Sequence, residues 1–429
     1  MRERRIGLRD SRGHACGKDL RAESAMFTRY LTAIAAKRKP VQARPPSKNT
    51  ISGMKTKRYE TKAALVVLLS LTIPASGRAQ DWPSLWKSYT AGFMDQQVRV
   101  IDHSAGDRTT SEGQAYGMFF ALVANDRSRF DGLLRWTEQN LAQSDLSTHL
   151  PSWLWGRSSN GQWRTLDSNS ASDADVWMAY TLLAAGKAWK EPRYTKLGLA
   201  LAHCIASEEV VEVPGLGTML APGSTGFQHG NSYRLNASYV PLQVILGLGE
   251  FVPDGPWKKI AAAIATLVKD SAPHGFVSDW TEVRTGNPPQ VSPTVCSYDA
   301  IRVYLWAGML DSATPQRGAI LNAIGGMAGY LQNNAVPPAI VRPDGSIQDP
   351  KGPVGFSAAL VPYAAALGND QIMKQQMSRI QAEYNAQTGL YGNPARYYDQ
   401  NLALFGLGFQ QKQFWFDAKG ILRVKWERS

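Results

Sequence analysis

Three short stretches of the sequence place carboxylates directly ahead of long apolar segments. They are SEGQAYGM at 111–118, SASDADVW at 170–177 and SYDAIRVYLW at 297–306. Two suitably spaced carboxyl groups can hydrolyse a glycosidic bond, because one donates a proton to the leaving oxygen while the other attacks the sugar or activates a water molecule. Flat aromatic rings suit the apolar faces of sugars, and tryptophans crowd the neighbouring loops, namely Trp153, Trp155, Trp163 and Trp280. These stretches predict carbohydrate chemistry if the fold brings them together.

Acidic residues near a helix start also have a purely structural use, since they cap backbone N–H groups and suit the helix dipole. That alternative applies to Glu112 and to the pair Asp173 and Asp175. For Asp299 the alternative is a local ion pair with Arg302, which lies three residues on and on the same side of a helix. Such a pair would lower the pKa of Asp299 and hold it ionised, so both interpretations can be true together.

The elements that must position these residues are helices. From Asp81 onward, apolar residues recur every three or four positions in about a dozen segments. Six segments are apolar nearly all round and must be buried between other helices; they start near Glu112, Asp173, Tyr239, Asp299, Ser357 and Asp399. Five amphipathic segments follow them, and the early segment 82–95 supplies a sixth. We therefore predict an all-α fold, an (α/α)6 barrel of six inner and six outer helices whose inner helices start at one mouth, with an open α-solenoid as the alternative.

Two details of this architecture are open to direct comparison with the structure. The segment QRGAILNAIGGMAGYLQ at 316–332 is predicted as one outer helix. Strand-like alternation is scarce, and the best strand is GFVSDWTEV at 275–283, at the edge of a loop.

The basic charge of the chain is confined to its first 79 residues. They carry 18 of the 47 basic and 5 of the 35 acidic residues, which leaves 29 basic and 30 acidic residues in the remainder. A remainder without excess positive charge excludes nucleic acid as an expected partner.

A secretory signal explains this asymmetry. The segment has a basic n-region, an apolar h-region and small residues before a cleavage site, which read MKTKRYETK, AALVVLLSLTI and PASGRA. We assign 54–79 to a signal peptide cleaved after Ala79, 1–53 to a non-native or disordered leader, and 80–429 to one catalytic domain that is periplasmic or secreted. The apolar run is too short to span a bilayer comfortably, which disfavours the alternative of a retained membrane anchor.

Cysteine and histidine usage indicates no metal chemistry. Cys204 and Cys296 are the two cysteines of the expected mature chain. Sequence alone does not place them within disulfide distance, and the apolar helix face around Cys204 favours a buried free thiol. No histidine and cysteine cluster has metal-ligand spacing, so we expect neither a zinc site nor a cofactor.

The three carboxylate stretches carry a family resemblance. SASDADVWMAYTLLAAGKAW at 170–189 closely matches the signature segment of glycoside hydrolase family 8, SEGQAYGM is similar to the acid segment of that family, and SYDAIR to its base segment. Their order and wide spacing also agree, and the likeness runs from about Asp81 to the end. LPSWLWG and TLDSNSASDADVWMA look most like the periplasmic endoglucanases of bacterial cellulose-synthesis operons.

The resemblance implies an inverting (α/α)6-barrel enzyme that cleaves internal bonds of β-1,4-glucans, although some members act on chitosan, xylan or mixed-linkage glucans. It implies a cellulose chain as the bound partner and a cellulose synthase export complex as a further partner. By the same likeness Glu112 is the general acid, whose pKa must be raised by an apolar setting. Asp299 is then the general base, and Asp173 binds and helps distort the sugar at the cleavage subsite. Asp175 is a structural partner inside the ring.

Further substrate-binding residues follow from the resemblance. Tyr239 in NASYVPL resembles the tyrosine near the attacking water, although Ala237 stands where proline is expected; the alternative is a core tyrosine with a satisfied hydroxyl. The remaining candidates are Tyr298, Arg302, Trp153 and Trp155, and core packing is the alternative for each tryptophan. Asp399, in the loop YGNPARYYDQN, is a weaker candidate for substrate contact.

Other functions remain open at this point. The carboxylates could form a retaining pair, because separations of roughly 5–5.5 Å and 6.5–9.5 Å distinguish retention from inversion and the sequence measures neither. A non-catalytic glucan-binding or scaffold protein of an export complex would use the same aromatic mouth. The pair in DAD could be a metal motif of a glycosyltransferase, but no α/β nucleotide-binding pattern surrounds it.

Overall fold

The structure is a computed structural model that describes residues 80–428. This part of the chain contains thirteen α-helices in chain order: α1 (Trp82–Phe93), α2 (Ser111–Val123), α3 (Arg127–Asn140), α4 (Ser172–Ala188), α5 (Pro192–Glu208), α6 (Leu242–Phe251), α7 (Trp257–Asp270), α8 (Ile301–Gly308), α9 (Arg317–Ala323), α10 (Gly326–Leu331), α11 (Val354–Ala366), α12 (Asp370–Ala382) and α13 (Tyr397–Gln410). The expectations for residues 1–53 and 54–79 concern residues outside the described part. No helix within 80–428 is both long and apolar enough to cross a membrane.

Short strands occupy the connections between helices. They are β1 (Thr109–Thr110), β2 (Leu154–Arg157), β3 (Trp163–Asp167), β4 (Val210–Val213), β5 (Gly217–Leu220), β6 (Gln228–His229), β7 (Ser232–Leu235), β8 (Thr281–Arg284), β9 (Gln290–Pro293), β10 (Ile340–Val341), β11 (Ile347–Asp349), β12 (Tyr384–Asn385), β13 (Leu390–Tyr391), β14 (Phe414–Phe416) and β15 (Leu422–Val424). They pair antiparallel into a sheet β1-β2-β3, a sheet β6-β7-β8-β9 and four two-stranded sheets. The segment 275–283 contributes the start of β8, and most other strands are too short for alternation in the sequence to reveal them.

The helices form the predicted (α/α)6 barrel. The inner helices are α2, α4, α6, α8, α11 and α13, and nearly every residue of α4 and α11 is buried. The ring closes where Phe405 of α13 packs edge-on against Phe120 of α2, with ring centroids 4.6 Å apart. An open solenoid, the alternative considered from the sequence, is therefore wrong.

Aromatic side chains fill the interior of the ring. Trp177 of α4 lies 4.9 Å from Phe119, 5.2 Å from Phe405 and 5.3 Å from Trp306 between ring centroids. Edge-to-face and tilted aromatic pairs at these distances are favourable beyond the area that they bury. The rings join α2, α4, α8 and α13 in one rigid core and so fix the relative positions of their first turns.

Three local features differ from the sequence-based expectation. The segment 316–332 is two helices, α9 and α10, because Gly326 N donates to Gly275 O at 3.0 Å and a Cβ at Gly326 would lie 2.6 Å from His274 O. Tyr239 lies in a 3₁₀ turn ahead of α6, and Asp299 lies in a turn ahead of α8.

The two cysteines do not pair. Cys204 and Cys296 are both free thiols, and Cys296 is buried. Cys204 is only half-buried, so the expected buried thiol at that position is wrong.

Candidate active site

The three carboxylates from distant parts of the chain converge on one arginine. The guanidinium of Arg302, in the first turn of α8, donates from Nη1 to Glu112 and, at 3.0 Å, to Asp173 Oδ2. Its Nη2 donates to Asp299 Oδ1 at 3.0 Å and to Ser238 Oγ at 3.1 Å. The Arg302 side chain is 2% exposed, whereas Glu112 is 20% exposed and so faces the mouth. The predicted local pair of Asp299 with Arg302 exists, but the arginine serves all three carboxylates.

Glu112 is placed by the start of α2. Thr110 caps this helix, because its Oγ1 accepts from Gly113 N at 3.1 Å, so Glu112 is not needed as the cap. Gly113 allows a close approach of α13, since a Cβ there would lie 2.7 Å from the Tyr397 hydroxyl. The start of α2 is therefore fixed by backbone and neighbours, and the Glu112 carboxyl is left to the site.

Asp173 is held in the first turn of α4. Its Oδ1 accepts from Ala174 N at 2.8 Å, and its Oδ2 accepts from Arg302. One oxygen, Oδ1, thus binds a backbone N–H group at the helix start, as the structural interpretation expects. The other, Oδ2, joins the carboxylate cluster at Arg302.

Asp299 is held by a residue that the sequence analysis missed. Oδ1 of Asp279 accepts from the backbone N–H groups of Ser297, Asp299 and Ala300 at 2.9, 3.1 and 2.8 Å, and Oδ2 accepts from the Ser297 hydroxyl. One carboxyl group therefore fixes the whole turn that presents Asp299. The only signal in the sequence was an aspartate within the apolar segment 275–283. Asn236, also missed, donates from Nδ2 to Asp299 Oδ2 at 3.2 Å.

Burial sets the protonation of the carboxyl groups. Burial raises the pKa of Glu112 to about 7; Arg302 opposes this rise, and the charges of Asp173 and Asp299 add to it. Burial also raises the pKa of Asp173 to about 6, against the effect of Arg302. The pKa of Asp299 is raised by burial, but Arg302, Asn236 and Arg234 all favour its ionised form. Glu112 is thus suited to hold a proton near neutral pH, and Asp299 is the carboxylate with the most support for negative charge.

Tyr239 completes the wall beside the arginine. Its ring lies 5.4 Å from the Arg302 guanidinium carbon, a cation–π contact, and 5.8 Å from the Trp280 ring. Burial raises its pKa well above the usual value, so its hydroxyl stays protonated. The structure therefore places the Tyr239 ring beside the arginine that binds the three carboxylates.

Tyr298 lies beside Asp299 but is packed against other aromatic rings. Its ring is 5.2 Å from Phe356 in an edge contact, and its carbonyl oxygen accepts a hydrogen bond from the Tyr398 hydroxyl. Tyr398 was not identified from the sequence. Burial raises the pKa of Tyr398, while Arg302 lowers it, which places this hydroxyl close to the charged cluster.

The two predicted stacking tryptophans have different surroundings: Trp153 lies directly ahead of β2, and Trp155 lies within it. Trp153 lies next to the site, because its carbonyl accepts from Ser111 N at 3.0 Å at the start of α2. Trp155 packs edge-on against Trp136 of the outer helix α3, at 5.3 Å. The structure thus places the backbone of Trp153 beside the start of α2 and packs the ring of Trp155 against the outer layer.

Asp175 points away from the arginine toward Glu209, which the sequence analysis missed. Both residues are fully buried. Burial raises the pKa of Asp175 well above its usual range, and the neighbouring Glu209 adds to the rise; burial raises the pKa of Glu209 to about 8. Ser170 donates to Glu209 Oε1 at 2.6 Å. Asp175 and Glu209 thus form a buried pair of carboxyl groups behind the Asp173 turn, and burial favours the protonated form of each.

Asp399 lies in the packing of α13 against α11. It is buried, its Oδ1 accepts from Gly355 N at 3.1 Å, and burial raises its pKa to about 6. This contact accounts for its carboxylate without a substrate.

The site contains one group that can donate a proton and one that can accept a proton. Glu112, which is suited to hold its proton near neutral pH, accepts a hydrogen bond from Nη1 of Arg302. Asp299, whose ionised form is favoured by its neighbours, accepts one from Nη2 of the same guanidinium. Those are the two groups that acid-assisted hydrolysis of a glycosidic bond requires. Among residues 80–428, no group of three or more His, Cys, Asp or Glu side chains could hold a metal ion.

Comparisons with known proteins identify relatives of this chain. The family model described as "Glycosyl hydrolases family 8" matches residues 46–412. An endoglucanase of Escherichia coli O157:H7 is 44% identical over 369 residues, which are 85% of this chain and 97% of that protein. An endoglucanase of Xanthomonas axonopodis pv. citri (strain 306) is 42% identical and covers 85% of this chain and 94% of its own. The crystal structure of an endo-1,4-D-glucanase from Vibrio fischeri ES114 superposes with a TM-score of 0.74 at 39% identity, over 80% of this chain and 99% of the other.

Proposed function

The chain belongs to glycosyl hydrolase family 8, and on that premise we propose how it acts and on what. It is a glycoside hydrolase, and its function is that of an endo-β-1,4-glucanase that cleaves internal bonds of cellulose or a related β-glucan. The names of the relatives support this substrate, since those of Escherichia coli and Xanthomonas are endoglucanases. The observation that carries the proposal is the placement of Glu112 and Asp299 on the two terminal nitrogens of Arg302.

In the proposed reaction, Glu112 is the general acid. It donates its proton to the glycosidic oxygen as the bond to the sugar breaks, which suits a carboxyl group whose pKa is raised to about 7. Asp299 removes a proton from a water molecule that attacks the opposite face of the sugar, so that the configuration at the reacting carbon inverts. Asp173 binds the hydroxyls of the distorted sugar, and the hydrogen bonds strengthen in the transition state.

Arg302 has a double role in this proposal. Its charge keeps Asp299 ionised, and its hydrogen bonds to Glu112 and Asp173 hold both carboxyl groups in place before the substrate arrives. In this proposal Tyr239, Tyr298 and Trp153 contact the sugar chain.

We further propose that the enzyme is exported and acts in the periplasm or outside the cell, in association with cellulose synthesis. The signal-like segment 54–79 supports export. The likeness of LPSWLWG to endoglucanases of cellulose-synthesis operons supports a cellulose synthase export complex as the partner. Secretion of a fusion that begins at Met54, followed by N-terminal sequencing, tests the export step, and cleavage after Ala79 is the expected result.

Hydrolysis of carboxymethylcellulose tests the activity. The wild type should release reducing ends, and the first product observed by NMR should carry the α-anomer at its new end. The Glu112→Gln variant should bind the polymer but release almost no reducing ends. Binding by the wild type without hydrolysis of any β-glucan would contradict the enzyme proposal and favour a glucan-binding protein.

A further inference from the structure

One hairpin next to the mouth exposes an aromatic ring that neither the fold nor the carboxylate cluster uses. In the described part of the chain, the large hydrophobic side chains that are exposed are Trp163, Leu166 and Leu367. Two of them lie on β3, where Trp163 is 44% exposed and Leu166 is 37% exposed. These two lie on opposite faces of the hairpin. Trp163 stacks on Trp155, whereas Leu166 lies on the side of Gly156, where an added Cβ would be 3.0 Å from Leu166 Cδ1.

The ring of Trp163 has a built support. It stacks on Trp155 with centroids 5.0 Å apart and an angle of 19° between the planes. The Arg99 guanidinium carbon lies 4.9 Å from the Trp155 ring and 5.2 Å from the Trp163 ring. Trp136 supports Trp155 from the edge. The result is an ordered aromatic surface with one ring open to solvent.

Arg99 itself is fixed in this position. Its Nε donates to Asp95 Oδ2 at 3.0 Å, and its Nη1 donates to Asp107 O at 2.8 Å and to Thr109 Oγ1 at 3.3 Å. An arginine held by three partners and stacked on two rings orders those rings before any ligand binds, which lowers the entropy cost of binding.

The hairpin is directly connected to the catalytic acid. Strand β1 pairs with β2 and runs straight into α2, where Thr110 opposes Leu154 and Glu112 follows two residues later. Trp163 opposes Arg157, three residues beyond Leu154, so it lies about 10 Å along the hairpin from the start of α2. The exposed ring therefore belongs to the hairpin that leads into α2, but it is separate from the carboxylates.

We propose that Trp163, supported by Trp155 and Arg99, is an accessory platform that stacks on a sugar ring of the glucan chain outside the cleavage site. The proposal rests on the proposed function, because the occupant is the same neutral polysaccharide. Its chemistry fits the surface: a flat indole matches the apolar face of a pyranose ring, and the exposed side chain of Arg157, which pairs with Trp163, can meet hydroxyl groups at the edge. The platform would hold polymer chains and leave short oligosaccharides unaffected.

The test compares three variants at one strand. In Trp163→Ala, KM for carboxymethylcellulose should rise roughly threefold to tenfold, in proportion to one aromatic stacking contact, and kcat should remain unchanged. Trp163→Phe should keep most of the affinity because it keeps a flat ring. Leu166→Ala, which removes a similarly exposed side chain from the opposite face of β3, is the matched control and should behave like the wild type. Hydrolysis of cellotriose and cellotetraose should be equal in all four proteins.

A binding experiment separates this proposal from the proposed function. Glu112→Gln protein with and without Trp163→Ala is run through gels that contain carboxymethylcellulose, where retardation measures binding without hydrolysis. Weaker retardation after loss of Trp163 supports the platform even if the wild type cleaves no glucan. Equal retardation of both proteins, or an equal loss with Leu166→Ala, rejects it. Should Trp163→Ala fail to fold, the comparison of Trp163→Phe with Trp163→Leu, by the same two readouts, decides in the same way.

Discussion

Nη2 of Arg302, in the first turn of α8, donates at 3.0 Å to Oδ1 of Asp299 in the turn ahead of that helix. The same guanidinium contacts Glu112, which lies 190 residues away in the chain. Arg302 thus contacts both the proposed base, Asp299, and the proposed acid, Glu112. The positive charge lowers the pKa of both carboxyl groups, while burial raises it. The balance leaves one group protonated near neutrality and stabilises the charge of the other.

The alkaline side of the pH profile should report Glu112. Because the general acid acts in its protonated form and the pKa of Glu112 is raised to about 7, kcat/KM on a neutral β-glucan should fall as the pH rises through about 7. Because the neighbouring carboxyl groups interact, the pKa observed in this fall of kcat/KM describes the whole cluster rather than Glu112 alone. The measurement is kcat/KM across neutrality, at constant ionic strength. Activity that stays constant or increases well above pH 7 would contradict the acid assignment.

Glu112 and Asp299 should be distinguishable by the leaving group. In Glu112→Gln, hydrolysis of the polymer should fall roughly 10²-fold to 10⁴-fold, as for loss of general acid catalysis. An aryl cellobioside whose phenol is a good leaving group needs little protonation, so its hydrolysis should fall much less.

Asp299→Asn is the matched control for that experiment. Loss of the base impairs attack by water whatever the leaving group is, so both substrates should be affected alike. Rates of aryl and polymer hydrolysis for the two variants provide the measurement. If Asp299→Asn is the variant that the good leaving group rescues, the two roles are exchanged.

Asp279 should act as a positioning residue for Asp299. Removal of its carboxyl group in Asp279→Ala leaves three backbone N–H groups, one buried and two part-buried, without their acceptor, which should lower the free energy of unfolding by about 1–3 kcal/mol. A displaced Asp299 should lower kcat by about tenfold or more, with little change in KM. Asp279→Asn should restore most of kcat, because its amide oxygen can still accept from the three N–H groups.

The control for Asp279 is an aspartate that caps a turn outside the site. Oδ1 of Asp417 accepts from Lys419 N and Ile421 N, both at 3.0 Å, between β14 and β15. Asp417→Ala should lower stability without a change in kcat. Urea denaturation and steady-state kinetics on all three variants measure both effects, and an unchanged kcat in Asp279→Ala would reject the positioning role.

The pair of Asp175 and Glu209 should make the protein less stable at alkaline pH. The folded-state pKa of Glu209 is raised to about 8, with burial as the main cause, while an unfolded glutamate titrates near pH 4.3. Between these values the folded state binds more protons than the unfolded state, so the free energy of unfolding must fall as the pH rises from about 4 to about 8. The groups that face Glu209 are Asp175, Ser170, Asp173 and Glu208.

Glu209→Gln removes the titrating group and keeps a hydrogen-bonding side chain of the same size. Its free energy of unfolding should therefore fall less than that of the wild type over the same range, as measured by urea denaturation at acidic and alkaline pH. Identical slopes for the two proteins would show that Glu209 ionises normally in the folded state.

The sequence by itself determined the helical architecture and the location of the chemistry. Helical periodicity is a property of residues three and four positions apart, so the inner segments that begin near Glu112 and Asp173 could be recognised without any tertiary contact. The pairing of Asp299 with Arg302 followed for the same reason, since it spans a single helical turn. The break between α9 and α10 escaped because it depends on the backbone of Gly275, a residue outside that segment.

Only the tertiary structure decided which side chains contact each carboxyl group and so set its pKa. The contacts of Asp279 with the Asp299 turn, and of Asp175 with Glu209, join residues that no local pattern relates. The orientation of Trp155 likewise depends on Trp136, which covers one face of its strand. The pKa of Glu112 depends on burial and on charges delivered by α4, by α8 with the turn ahead of it, and by Asp102. Such quantities follow from distances in space rather than along the chain, and they therefore exist only after the barrel has closed.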